Sequence, residues 1–148
     1  MGNIDEMIKE EWRSLRFYYE TDESDNIANW KFYGSRAGLC RFANILDQYV
    51  SNEGNDAISE HDHYGPYQYL KIMTWDKPEI TKNYIGGTFN DLKFLKNIFT
   101  DKLNKTKAGQ TFTIGSEYGT TNKGVLEFFV MNNDFDPVSM DEHYNQIK

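Results

Sequence analysis

The sequence predicts an α+β protein of two layers, a mainly antiparallel sheet of about six strands with two helices on one face in the order ββαββαββ. Three observations carry that expectation. Short runs of alternating or continuous apolar residues recur along the chain, two longer stretches repeat their apolar residues at helical spacing, and the connections between them are short. At 148 residues, 39% hydrophobic and 16% aromatic, the chain carries enough apolar bulk for one core, so a single domain over 1–148 is expected.

Taken in order, WRSLRFYY at 12–19 places Leu15, Phe17 and Tyr19 on one side of a period-two pattern and reads as a half-buried strand opening the ordered core near residue 11. ETDESDN reads as a loop, and WKFY at 30–33 as a second strand. Gly34-Ser35 then opens a helix whose Leu39, Phe42, Ala43, Leu46 and Val50 follow the i, i+3, i+4, i+7 rule. Cys40 falls inside that helix beside Leu39 and is expected to be partly packed. SEHDHYGPY at 59–67 reads as a loop leading into a central strand, YQYLKIMTW at 67–75. A turn at Asp76-Lys77-Pro78 leads to a further strand, EITKNYIGG at 79–87. Thr88 with Asp91 three residues on is a capping-box signal for a second helix burying Leu92, Leu95, Ile98, Phe99 and Leu103. Two strands follow, near 111–114 and 125–131. The polar tail 134–148 is expected to be loosely held, leaving an ordered core of about 11–133. The helix starts at Gly34 and Gly87 align without gaps at an offset of 53, matching Gly, Ser/Thr, Leu, Asn and Ile. That echo fits either an internal duplication or the common use of Gly then Ser/Thr where a strand meets a helix.

The net charge of −7 is unevenly placed. Residues 1–65 hold 13 acids and 6 bases, whereas 66–148 hold 10 of each. The excess lies in the N-terminal part, where Glu20, Asp22, Glu23 and Asp25 cluster. Such a surface repels phosphate backbones and attracts a basic protein, so direct nucleic-acid binding is not expected. No apolar run reaches the length of a bilayer span, and the start MGNIDEMIKEEW is acidic where a secretory signal would be basic and then apolar. A cytoplasmic protein without a membrane partner is expected. The lone Cys40 excludes an internal disulfide framework and the paired thiolates of a structural zinc site.

Glu60, His61, Asp62, His63 and Tyr64 form the most chemically loaded stretch. His-x-His in an extended chain sends both imidazoles to one side, so Glu60, His61 and His63 could ligate a divalent metal, the third ligand coming from Glu60 or from a distant residue such as His143. A metal-dependent enzyme or metal-binding protein is therefore the alternative reading. Otherwise the stretch is a structural or recognition loop whose imidazoles bond to neighbouring carbonyls and carboxylates. The sequence contains no Gly-x-Ser-x-Gly elbow, no phosphate-binding Gly-rich loop with Lys and no His-Glu-x-x-His. With 23 aromatic residues, ten of them tyrosine, and with Tyr64, Tyr67 and Tyr69 beside the histidines, the chain reads as a binding module needing no cofactor, not as an enzyme.

EWRSLRFYYE, WKFYGSRAGL, SEHDHYGPYQYLKIMTWD and NDFDP together resemble a family of predicted bacterial immunity proteins from polymorphic toxin systems. The resemblance spans roughly residues 11–137, and its most specific part is the SEHDHYGPY-x-YLKI block. It implies that the chain neutralises a cognate toxin protein. The surface expected to do so combines Asp22, Glu23 and Asp25 with Glu60, His61, Asp62, His63 and Tyr64, facing a basic surface on the toxin.

Overall fold

The computed structural model describes residues 2–145. The class is α+β, as expected, but the strands divide between two four-stranded mixed sheets instead of forming one sheet of six, and four α-helices are present among the described residues. The first element is a helix, α1 (Gly2–Leu15), where the expected order begins with a strand. Ile8, Trp12 and Leu15 recur at i, i+4 and i+7, and this stripe packs inward, with Trp12 and Leu15 buried. The alternation at Leu15, Phe17 and Tyr19 does mark buried positions. The change from helix to strand falls among them, at Arg16, whose φ is 75°.

Strands β1 (Tyr18–Ser24) and β2 (Ile27–Ser35) pair antiparallel from Tyr18 opposite Tyr33 to Ser24 opposite Ile27. The segment read as a loop is therefore a hairpin. Asp25 and Asn26 form its two-residue turn with φ of 54° and 65°, the sign that a type I′ turn requires and that Asx residues tolerate best after glycine. Helix α2 (Arg36–Ser51) starts at Ser35, whose hydroxyl accepts from Gly38 N at 3.0 Å. It buries Ile45 and Tyr49 as well as Leu39, Phe42 and Leu46, while Cys40 is exposed, contrary to expectation.

The histidine segment is also a strand. β3 (His61–Tyr64) pairs antiparallel with β4 (Leu70–Thr74), so Tyr67 and Tyr69 lie in the intervening turn and not in the central strand. EITKNYIGG folds as two short strands, β5 (Glu79–Ile80) and β6 (Ile85–Gly87). Helix α3 (Phe89–Asn104) carries the capping box: Thr88 Oγ1 accepts from Asp91 N at 3.1 Å, and Asp91 Oδ2 accepts from Thr88 N at 3.0 Å. β7 (Thr111–Ile114) and β8 (Val125–Met131) complete the strands.

The sheet orders are β1-β2-β8-β7 and β3-β4-β6-β5, with β2 parallel to β8 and β4 parallel to β6 at their centres. Mapping β1, β2, α2, β3, β4 onto β5, β6, α3, β7, β8 turns one sheet into the other. The same offset of 53 that aligns the two helix starts carries α2 (Arg36–Ser51) onto α3 (Phe89–Asn104) residue for residue. Each half thus contributes one hairpin to each sheet, and neither sheet belongs to one half. Two of the three pairings in each sheet are antiparallel, and the parallel one lies at the centre, where hairpins from different halves meet.

A single cluster of buried residues runs through α1, α2, α3 and both sheets. Its hub is Phe128 on β8, stacked on Phe32 at 4.8 Å and Phe112 at 4.9 Å and meeting Phe42 and Phe99 edge-on at 5.2 and 4.9 Å. Such pairs add about 0.5–1.5 kcal/mol each beyond area burial.

The segment from 134, expected to be loose, packs against α1 as far as it is described. Pro137 and Val138 are buried, Arg13 pairs with Asp136 at 3.0 Å, and α4 (Glu142–Asn145) follows. Residues 146–148 of that expectation lie outside the described residues. Among the described residues no helix is long and apolar enough to cross a membrane.

Candidate functional site

The turn between β3 and β4, Gly65 to Tyr69, is held from beneath by Tyr19 of β1. The Tyr19 hydroxyl donates to Pro66 O at 2.6 Å and accepts from Tyr69 N at 3.1 Å. Gly65 has φ of 77° and lies so close to Leu15 and Tyr19 that only a residue without Cβ fits. Tyr67 and Gln68 follow with φ of 65° and 57°, a left-handed pair without glycine that costs about 1–2 kcal/mol per residue. His63 fixes the far end: its Nδ1 lies 2.9 Å from Gln68 O, and since a carbonyl only accepts, that nitrogen carries the proton.

The strained turn turns two tyrosine rings outward. Tyr67 is 44% exposed and Tyr69 67%, and their rings stack at 6.0 Å. The corresponding connection of the second half, Gly115 to Gly124, does the opposite with its tyrosine: Tyr118 is buried and its hydroxyl donates to Gly86 O at 2.7 Å. Two turns in equivalent places therefore differ in what they do with their aromatic residues, and only the first presents them to solvent.

Behind Tyr67 and Tyr69 lies a cleft of about 370 Å³. With those two rings, Trp12 of α1, Tyr18, Tyr19, Glu20 and Thr21 of β1, and Asp141 line it. Trp12 sits 4.7 Å from the Tyr18 ring and 5.3 Å from that of Tyr19. Asp141 is 7% exposed and accepts from Trp12 Nε1 at 2.9 Å, Tyr67 Oη at 2.7 Å and His143 N at 3.0 Å. The phenols of Tyr18, Tyr19 and Tyr67 stay protonated at physiological pH. Burial, followed by the Glu20 charge, pushes Tyr18 up to about 12, burial pushes Tyr19 up to about 12, and burial with the Asp141 hydrogen bond raises Tyr67 further. The carboxyl groups lining the cleft are those of Glu20 and Asp141.

The acids of the hairpin sit just above this cleft in sequence and strand. Glu20, Asp22, Glu23 and Asp25 are all exposed, but not all are unpaired: Asp22 meets Lys31 at 3.4 Å, Glu23 meets Lys82 at 3.9 Å, and Glu20 Oε2 accepts from Tyr33 Oη at 3.2 Å. Glu60, just before β3, and His61, Asp62 and His63 on it are exposed, and Tyr64 is half-buried, its phenol raised by burial and then by the Asp62 charge. The two expected groups occupy the edges of different sheets, β1 in one and β3 in the other. No hydrogen bond or ion pair among the described residues joins Asp22, Glu23 or Asp25 to Glu60–Tyr64. What the fold brings together instead is the base of the hairpin and the tyrosines just beyond the histidines.

His61 and His63 lie on one side of β3 with ring centroids 5.1 Å apart, and both Nδ1 atoms are engaged by carbonyls, His61 with Ser59 O at 3.0 Å. No hydrogen bond engages either Nε2 among the described residues. Among the described residues, however, no three His, Cys, Asp or Glu side chains assemble as metal ligands, and His143 lies beside Asp5 at 3.8 Å, not at β3.

Sequence reasoning missed Trp12, Tyr18, Tyr19, Thr21 and Asp141 as site residues, and named Glu20 only in the acidic cluster and Tyr67 and Tyr69 only as neighbours of the histidines. Trp12 had a legible signal in the Ile8, Trp12, Leu15 stripe. Asp141 had none, since one aspartate in a polar tail looks like any other. Comparison with known protein families, with characterised proteins and with solved structures finds no match for this chain.

Proposed function

We propose that the protein is a binding module that neutralises a cognate bacterial toxin domain in the cytoplasm, covering a basic face of that domain without catalysing a reaction. The observation that carries this reading is the aromatic cleft at the foot of an exposed acidic hairpin. Large amphipathic rings held rigid by the fold supply contact area at low entropic loss, and surrounding carboxylates speed the approach of a basic surface. The resemblance of the SEHDHYGPY-x-YLKI block to immunity proteins supplies the class of partner. Relative to the sequence expectation the proposed face shifts: Asp22, Glu23 and Asp25 remain, Tyr67 and Tyr69 join them, His63 serves to hold the turn through its Nδ1, and His61 Nδ1 ties the segment entering β3 through Ser59 O.

Co-expression with the protein encoded immediately upstream tests the reading. Restored growth together with co-purification supports it; growth inhibition that this chain leaves unrelieved contradicts it. Elemental analysis of protein purified without affinity histidines addresses the metal alternative, for which stoichiometric zinc, manganese or iron would be the decisive finding.

A further inference from the structure

The cleft has a chemistry of its own, more specific than acidity. Two carboxylates and no base are found among the residues lining it, and the remaining walls are chiefly the rings of Trp12, Tyr18, Tyr19, Tyr67 and Tyr69. Asp141 is satisfied by neutral donors alone: an indole N–H, a phenol and a backbone N–H account for its contacts, and among the described residues no lysine, arginine or histidine pairs with it. Its negative charge is buried and hydrogen-bonded without being neutralised, so its field acts into the cleft, where the low dielectric of aromatic walls preserves it. Glu20 differs. Its Oε2 accepts from Tyr33, while no protein donor reaches its Oε1 among the described residues, and the side chain is exposed at the rim. Tyr69, with no side-chain hydrogen bond of its own among the described residues, lines the same cleft with its ring 67% exposed.

We infer that this cleft is a receptor for an arginine side chain of the protein partner, its guanidinium laid on the exposed Tyr69 face, bonded to Glu20 and drawn inward by Asp141. An apolar side chain would leave both carboxylates facing a desolvated wall. A lysine ammonium satisfies charge, but it is more strongly hydrated, and it lacks the plane that stacks on a ring while its edge meets a carboxylate. Arginine matches all three features at once. The inference rests on the binding-module reading for the source of the arginine, but the cleft's preference is a property of this chain alone.

The test therefore uses no toxin. Nα-acetyl-arginine amide, with the corresponding lysine and norleucine amides, is titrated into the 15N-labelled chain, following the indole N–H of Trp12, identified by its loss in Trp12→Phe, and the amides of Tyr67 and Tyr69. Saturable shifts with the arginine amide in the millimolar range are expected, together with weaker binding of the lysine amide. Tyr69→Ala and Glu20→Gln should each weaken arginine binding by about fivefold. Both substitutions are at exposed side chains, and unchanged resonances elsewhere verify the fold. Equal shifts from the norleucine amide would make the cleft merely apolar, lysine binding as tight as arginine would remove the guanidinium, and no saturable shift would remove the site; each overturns the inference. Arginine binding without rescue of the upstream toxin would leave the cleft standing and reject the immunity reading, and the reverse result would do the opposite.

Discussion

Gly65 and Trp12 show how single residues set the candidate site. A Cβ on Gly65 would stand 2.8 Å from Leu15 Cδ2 and 3.0 Å from Tyr19 Cε2, at a φ of 77° that L side chains rarely adopt. Gly65→Ala should therefore lower stability by about 1–3 kcal/mol in denaturant unfolding, through both contact and backbone strain. Trp12→Phe keeps most of the buried ring but withdraws the indole donor from Asp141, leaving a buried carboxylate one hydrogen bond short. A loss of about 1–3 kcal/mol is expected, measured the same way, and a neutral result would mean that the Asp141 contact contributes nothing. The sequence reveals the glycine-proline turn and the Thr88–Asp91 box because their chemistry is local. It does not reveal Trp12 bonding to Asp141, because those residues are 129 positions apart and nothing in either neighbourhood points to the other.

Helix α1 and the segment after β8 stabilise one another, which is why the tail is ordered although its composition reads as loose. Arg13 and Asp136 join them across the surface. Burial raises the Asp136 carboxyl, but the Arg13 hydrogen bond, the Val138 N–H and the guanidinium charge outweigh it and hold the group below its ordinary value of 3.8. A carboxyl whose folded value is depressed contributes stability above its unfolded value and loses that contribution as pH falls through the folded one. Asp136→Asn should thus lower stability by about 0.5 kcal/mol near neutral pH, an exposed pair being screened by solvent, and the gap from the parent should close in unfolding curves as pH falls through that depressed value. Two strands escaped the sequence reading for a shared reason. β3 and most of β1 are edge strands with polar, exposed side chains, so the alternation that betrays a half-buried strand is missing, and their hydrogen bonds to β4 and β2 alone define them.

Because each half gives one hairpin to each sheet, the molecule should behave as one cooperative unit. Residues 1–76 and 77–148 expressed apart should each lack a stable fold and regain native circular dichroism when mixed, whereas independent folding of either fragment would contradict the exchanged arrangement. The offset of 53 was visible in the sequence as an echo, but the exchange of hairpins was not. A repeat states that two segments are alike and leaves open which strands pair. The same symmetry sharpens the functional reading, since the second half buries Tyr118 where the first exposes Tyr67 and Tyr69. The most direct test of the proposed face is the binding kinetics of the protein encoded immediately upstream, measured at low and high salt against the parent chain, the Asp22→Asn, Glu23→Gln, Asp25→Asn triple variant and Tyr69→Ala. Steering by exposed acids should make the triple variant associate about tenfold more slowly at low salt, with the difference shrinking as salt rises. Loss of a stacked ring should leave association intact and speed dissociation. Unchanged rates in both variants, with binding retained, would place the partner on another surface of the molecule.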